Sequence, residues 1–190
     1  MIERILGVIK LDVNTYEEIE HDAKNGLQQA AMIVAVVALI SAIGAAVSAR
    51  FAGEALDSLS QLEGFGDIPI PGLGAAGNPI IAFIQTLVNS FVTWIVWSYV
   101  TYFVGTTLFD GDATPDEMLR VLGFARAPAI LSFIPCLGFF AVIWSLVCGF
   151  IAVRQGLDLD NGKSALSIII SWVAVVIVSI IINLIFGILA

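Results

Sequence analysis

Five apolar stretches divide the chain, and the last one alone limits what the chain can fold into. It reads ALSIIISWVAVVIVSIIINLIFGIL over residues 165–189 and contains no charged side chain. The hydrocarbon core of a bilayer is about 30 Å thick, and about 20 apolar residues in a helix are enough to cross it. Several stretches of this kind in one chain predict an all-α, polytopic membrane helical bundle.

The composition supports this class and argues against some partners. The 190 residues are 59% hydrophobic and 13% charged, whereas a soluble domain is about 45–50% apolar and about 25% charged. The net charge is −8, so the chain lacks the excess of basic residues that marks nucleic-acid binding. The same acidity argues against general attraction to anionic lipid. We therefore expect the lipid bilayer as the main partner and no nucleic acid.

Polar segments and turn residues set the boundaries within a single membrane domain, residues 1–190. Residues 1–26 are predicted to be a cytoplasmic segment with an amphipathic helix, because Ile2, Ile5 and Ile9 share one helical face. This helix is expected to lie on the membrane surface or on the bundle. Five transmembrane helices are predicted to follow, at about 27–49, 79–109, 118–134, 139–153 and 165–189.

The basic residues predict how these spans are oriented. With five spans and a cytoplasmic N-terminus, seven basic residues fall on the cytoplasmic side and only Arg50 falls on the other. This is the asymmetry that the positive-inside rule requires. We expect the N-terminus in the cytoplasm and the C-terminus on the opposite side of the membrane.

The third predicted span contains two residues that are costly in a membrane helix, Arg126 and Pro128. Arg126 has no acidic residue within any span to neutralise it. It can extend to the cytoplasmic headgroups, reach a loop acid such as Asp158 or Asp160, or donate to a backbone carbonyl. Pro128 frees the carbonyl of Phe124 by removing a helical hydrogen bond. The pair is therefore either a structural lock or an anion or lipid-headgroup site.

The segment before this span has a second arginine and several acids. Arg120 follows Asp116 by four residues, a favourable spacing for an ion pair on a helix. The preceding acids in DGDATPDEM suggest a metal loop, but they lack the ligand spacing of a calcium-binding loop. Thr114 and Glu117 instead fit a capping box. We expect no metal site and no cofactor.

The second predicted span has a polar stripe. Gln85, Asn89 and Thr93 follow one another at intervals of four residues, and Asn183 lies near the end of the fifth span. The stripe predicts hydrogen bonds between helices or, alternatively, a narrow polar pathway. The aromatic residues that follow it, Trp94, Trp97, Tyr99 and Tyr102, suggest an aromatic belt at the membrane surface.

Two long segments resemble the Yip1 family of five-span membrane proteins. They are TPDEMLRVLGFARAPAILSFIP and IWSLVCGFIAVRQGLDLDNGKSA. The shared elements are the capped acidic start, the RVLGFARAP core, the IP-x-LG turn and the W…AVRQ end of the fourth span. Only about two dozen residues precede the first span, so the chain is more similar to the compact bacterial and archaeal members. The resemblance implies the cell membrane of a prokaryote, and Rab binding is not carried over.

Two functions follow as hypotheses. The first is a non-catalytic Yip1-type protein that organises membranes or recruits protein partners through its cytoplasmic segments, with self-association left open. The alternative is a small transporter or channel subunit that uses the polar stripe and Arg126. An enzyme is not expected, because the sequence offers no nucleophile–base pair and its one histidine, His21, lies outside the spans.

Overall fold

The computed structural model describes residues 1–60, 78–133 and 135–189, which are helical and contain no strand. The all-α prediction is confirmed. An N-terminal pair of short helices precedes four long helices and a divided central segment. The elements are α1 (Ile2–Ile9), α2 (Val13–His21), α3 (Gly26–Ser60), α4 (Pro79–Phe109), α5 (Pro115–Ala125), a 3₁₀ helix (Ala127–Phe133), α6 (Pro135–Gly156) and α7 (Asn161–Leu189).

Within the part of the chain that the structure describes, four helices are long and apolar enough to cross a membrane: α3, α4, α6 and α7. Helix α4 covers the same residues as the second predicted span, and the other three extend beyond their predicted bounds. The third predicted span is not among the four, because the 11 residues of α5 rise only about 16 Å. The protein is thus an integral membrane protein, and the count of five spans stays a prediction.

The third predicted span is divided at the proline. Helix α5 begins with the predicted capping box, in which the Thr114 amide donates to Glu117 Oε2 over 2.6 Å. It ends at Ala125, and a 3₁₀ helix follows from Ala127 to Phe133. The expectation of one continuous helix over residues 118–134 is therefore corrected, since Pro128 has no N–H and cannot continue the α-helical ladder. Ile134, the last residue of that prediction, lies outside the described residues.

Helix α5 lies in the centre of the bundle. Every residue from Met118 to Ala125 is buried, and the helix packs against α2, α3, α4 and α6. Gly123 permits the closest approach, because an added Cβ would lie 2.7 Å from the Cβ of Ala30 on α3. Apart from Arg120, the residues from Met118 to Ala125 are uncharged, and their burial holds the last residues of α5 deep in the bundle.

The N-terminal segment folds as a helical hairpin that lies on the bundle. The Tyr16 hydroxyl of α2 donates to the carbonyl of Val8 over 3.1 Å and to that of Cys148 on α6 over 3.2 Å. Trp144 Nε1 of α6 donates to the Ile9 carbonyl over 3.0 Å. These bonds fix both α1 and α2 to α6. We call the end of the bundle formed by α2 and the loops 110–114 and 157–160 the N-terminal end.

Candidate functional site

Arg126 caps the C-terminal end of α5 and extends its side chain to α4. Its Nη1 donates to the carbonyl of Ser90 over 2.9 Å, and its Nη2 donates to Thr93 Oγ1 over 3.0 Å. The α5 helix ends at this residue because of the proline that follows. The guanidinium therefore links the central helix to a membrane-spanning neighbour through two hydrogen bonds to uncharged groups.

The position of Thr93 gives the depth of this contact. Thr93 lies 14 residues after Pro79 and 16 before Phe109, the two ends of α4. At 1.5 Å per residue these separations are about 21 Å and about 24 Å. The guanidinium thus lies near the middle of the bundle and far from either membrane surface.

Of the three partners considered for Arg126, the structure provides a backbone carbonyl, but on a different helix from the one expected. The predicted lock used the Phe124 carbonyl of the same segment, whereas the observed acceptor is Ser90 on α4. The guanidinium neither extends to the headgroups nor reaches Asp158 or Asp160. Pro128 is buried in the 3₁₀ helix and acts by ending α5 at the correct point.

The polar stripe on α4 makes contacts with two different partners. Gln85 Nε2 donates to Asn183 Oδ1 of α7 over 2.7 Å. Thr93 Oγ1 accepts from Arg126 and donates to the Asn89 carbonyl over 2.6 Å. Asn89 lies between them, and its Oδ1 is buried with no hydrogen-bond partner in the described ranges. The stripe therefore joins helices at both ends and has an unpaired acceptor at its centre.

Arg120 and Asp116 do not form the predicted pair. Arg120 is only 5% exposed, and its Nη2 lies 3.8 Å from Glu117 Oε1. Its Cδ packs against Gly26 at the start of α3, where an added Cβ would lie 2.6 Å from it. Arg120 thus fills the junction between α2 and α3 and does not form one site with Arg126.

The N-terminal end has an ion-pair cluster that the sequence did not predict. Arg4 of α1 lies 2.6 Å from Asp22 and 2.7 Å from Glu18, and it also donates to Gln29. The hydrogen bond to Asp22 raises the pKa of Arg4, and the same bond lowers the pKa of Asp22. The only signal in the sequence is the mixed charge of residues 1–26, which does not specify partners 14–25 residues apart.

Glu20 is a second feature that the sequence did not reveal. It is 9% exposed on α2, and burial raises its pKa to about 7. His21 opposes this shift, while the carboxylates of Asp158, Glu117 and Glu17 add to it. A buried carboxyl among like charges favours its protonated form.

Two of the residues expected in an aromatic belt face the interior instead. Trp94 is 5% exposed, and its Nε1 donates to the Leu119 carbonyl of α5 over 3.2 Å. Trp97 is also buried, whereas Tyr99 is exposed. Trp94 therefore packs α4 against the central helix, and the Trp97 ring lies beside Gly149 of α6. Within the described ranges, no group of three or more His, Cys, Asp or Glu side chains could hold a metal ion.

Comparison with known proteins identifies the family. The model of the Yip1 domain matches residues 6–183, nearly the whole chain. The chain belongs to the Yip1 family. No curated protein and no solved structure matches it. The Yip1 match agrees with an all-helical membrane protein, and the Yip1 family is not known as an enzyme family.

Proposed function

We propose that this Yip1-family protein is non-catalytic and recruits protein partners to the membrane through its N-terminal end. The observation that carries the proposal is the fixed hairpin of α1 and α2. Tyr16 bonds it to α6, and Arg4 bonds α1 to α2 and α3. A surface that is already folded loses little conformational entropy when a partner binds.

The chemistry of this end supports a protein partner. Glu17, Glu18, Asp116 and Asp158 are exposed there. A polar pocket of about 340 Å³ lies between α1, α2 and α3 and is lined by Arg4, Glu18 and Gln29 among others. Exposed charges of this kind determine specificity and association rate more than affinity. We therefore expect a partner with basic side chains and salt-sensitive association.

Orientation belongs to the same proposal. We propose the cell membrane of a prokaryote, with the N-terminal end in the cytoplasm and the C-terminus on the opposite side, because the basic residues favour it. In a Cys136→Ser, Cys148→Ala background, a cysteine introduced at Glu3 and labelled by an impermeant maleimide only after cell lysis would support this orientation. Labelling in intact cells would contradict it.

Quantitative proximity labelling from the N-terminus tests the recruitment. The double variant Glu17→Lys, Asp158→Lys reverses charge at the N-terminal end, and Glu54→Lys reverses it on an exposed site near the end of α3. Enriched partners should be lost from the double variant and kept by the control. Co-expression of two differently tagged copies tests self-association in the same samples. The proposal fails if no partner distinguishes the two variants.

A transporter or channel subunit is the second candidate. Its supporting observation is the unpaired, buried Asn89 Oδ1 in the middle of the stripe. Purified protein in liposomes should then pass small polar solutes, and Gln85→Leu should abolish this flux. Liposomes containing the protein that are no more permeable than empty ones would exclude this function and leave partner recruitment unaffected.

A further inference from the structure

The Arg126 guanidinium has more hydrogen-bond donors than its neighbours in the described residues engage. The guanidinium has five N–H donors, and within the described residues two of them are engaged, by the Ser90 carbonyl and by Thr93 Oγ1. The side chain is only partly buried, although it lies near the middle of the bundle. Neither acceptor is charged. Contact between a guanidinium and lipid tails is so unfavourable that water or another polar group usually intervenes.

One side of the guanidinium is closed. Towards the N-terminal end, Trp94 of α4 donates to the Leu119 carbonyl, and both residues are more than nine-tenths buried. Leu122, between Leu119 and Arg126, is fully buried. This buried contact between α4 and α5 lies between the guanidinium and the N-terminal end.

The other side is polar. From Thr93 towards the start of α4, the stripe continues through Asn89 to Gln85, and Asn183 of α7 meets it there. Asn89 and Gln85 are half-buried, and Asn183 is exposed. The direction of the stripe turns by about 40° for every four residues of a helix. It therefore runs from the side of α4 facing α7 to the side facing Arg126.

The distance along this route is short. Helix α4 has 31 residues, and its length of about 46 Å exceeds a hydrocarbon core of about 30 Å. If the excess length of the helix is divided equally between its two ends, about 8 Å protrudes from the hydrocarbon core at each end. Gln85 then lies close to the headgroup region. Only about 12 Å then separates Gln85 from Thr93.

We infer that water enters along the stripe from the end of the bundle where Asn78 lies and hydrates Arg126, and that the Trp94–Leu119 contact closes the route on the far side. Ordered water satisfies most buried polar groups that lack a protein partner. It would supply the donor for Asn89 Oδ1 and acceptors for the remaining guanidinium N–H groups. The inferred crevice is open on one side only, so it differs from the pathway across the membrane that the second candidate function requires.

Cysteine reactivity tests this inference in the full chain in phospholipid vesicles. Only the thiolate reacts with a methanethiosulfonate, and a thiol forms it in water rather than in lipid. In a Cys136→Ser, Cys148→Ala background, cysteine replaces Asn89 or Gln85 on the stripe. Two controls are Val88→Cys, 39% exposed on the surface of α4, and Ser98→Cys, fully buried beyond Trp94.

Cysteines at the two stripe positions should react with the methanethiosulfonate at least about tenfold faster than both control cysteines, because only the stripe cysteines are in contact with water. Gln85→Cys keeps the test valid if the Asn89 variant fails to fold. The inference is overturned if the stripe cysteines react no faster than Val88→Cys. It is equally overturned if Ser98→Cys reacts as fast as they do, because the route would then pass Trp94.

A lipid phosphate drawn towards Arg126 is the competing source of hydration. Native mass spectrometry of protein extracted in a maltoside, which contains no phosphate, distinguishes the two. If water hydrates Arg126, replacing this residue should not remove any bound phospholipid. A bound phospholipid that persists in Arg50→Gln but is lost in Arg126→Gln would overturn the inference, since Arg50 is an exposed arginine on α3 that pairs with Glu54.

Discussion

Arg4 and Arg126 have the same side chain and opposite surroundings. Arg4, at the N-terminal end, contacts two carboxylates and an amide. Arg126, near the middle of the bundle, contacts a backbone carbonyl and a hydroxyl, both uncharged. The carboxylate of Glu18 is 61% exposed and its charge is screened by water, whereas Arg4 and Asp22 are only 18% and 16% exposed. In the bilayer a carboxylate partner would itself have to be desolvated.

The comparison shows two different ways of holding one helix against another. At the N-terminal end, the ion pairs of Arg4 add to an apolar and hydrogen-bonded contact made by Tyr16 and its neighbours. In the membrane, apolar packing against lipid gives no preference for one helix contact over another, so directional hydrogen bonds and close packing carry more of the specificity. Substitutions of the two arginines should therefore have effects of different size.

The largest effect is expected from Arg126→Leu. It removes two hydrogen bonds from a charged donor, each contributing about 1.5–3 kcal/mol, so the free energy of unfolding should fall by about 3–6 kcal/mol. Unfolding in mixed micelles with increasing SDS measures this. Arg50→Leu is the control, and as an exposed substitution it should change stability by less than about 0.5 kcal/mol. An Arg126→Leu protein as stable as the wild type would remove the structural role given to this contact.

The second effect concerns pH and the N-terminal end. Burial raises the pKa of Glu20 from its usual 4.5 to about 7 in the folded protein. The folded state therefore binds a proton more tightly than the unfolded state, and stability must fall as pH rises between these two values. We expect the free energy of unfolding to decline by about 2 kcal/mol from about pH 5 to about pH 8.

Thermal unfolding over this pH range checks the prediction. Glu20→Gln should flatten the profile and make the protein more stable at the alkaline end, because the amide carries no charge to bury. Glu54→Gln, an exposed substitution on α3, is the matched control and should leave the slope unchanged. An unchanged slope in Glu20→Gln would mean that another group controls the pH dependence.

The sequence predicted features that depend on neighbours along the chain. The box of Thr114 and Glu117 starts α5, and the sequence predicted it because all its atoms lie within four residues. The acceptor of Arg126 was not predicted, since Ser90 is 36 residues away and becomes a neighbour only when α5 packs against α4. The partners of Arg4 were missed for the same reason.

A smaller effect is expected from Tyr16→Phe, which tests how the hairpin is held. The change removes the hydroxyl that donates to Val8 and Cys148 while keeping the ring. Losing this donor should weaken docking of α1 and α2 by about 1–2 kcal/mol. Faster amide exchange in α1 and α2, with α4 unchanged, would report it. Tyr99→Phe is exposed and should have no effect, and equal exchange in both variants would contradict the role of Tyr16.

The smallest effect is expected from Glu18→Gln, and its size sharpens the contrast between the two arginines. Glu18 is 61% exposed and keeps its contact with Arg4 in water, so the pair should contribute only about 0.5 kcal/mol. Because a salt screens exposed charges, this difference from the wild type should vanish at about 1 M salt. The loss in Arg126→Leu should persist at the same salt concentration, since its hydrogen bonds lie inside the bundle. Matched denaturation curves at low and high salt compare the two variants. If the loss of stability depends on salt equally in both variants, Arg126 is as well solvated as Arg4.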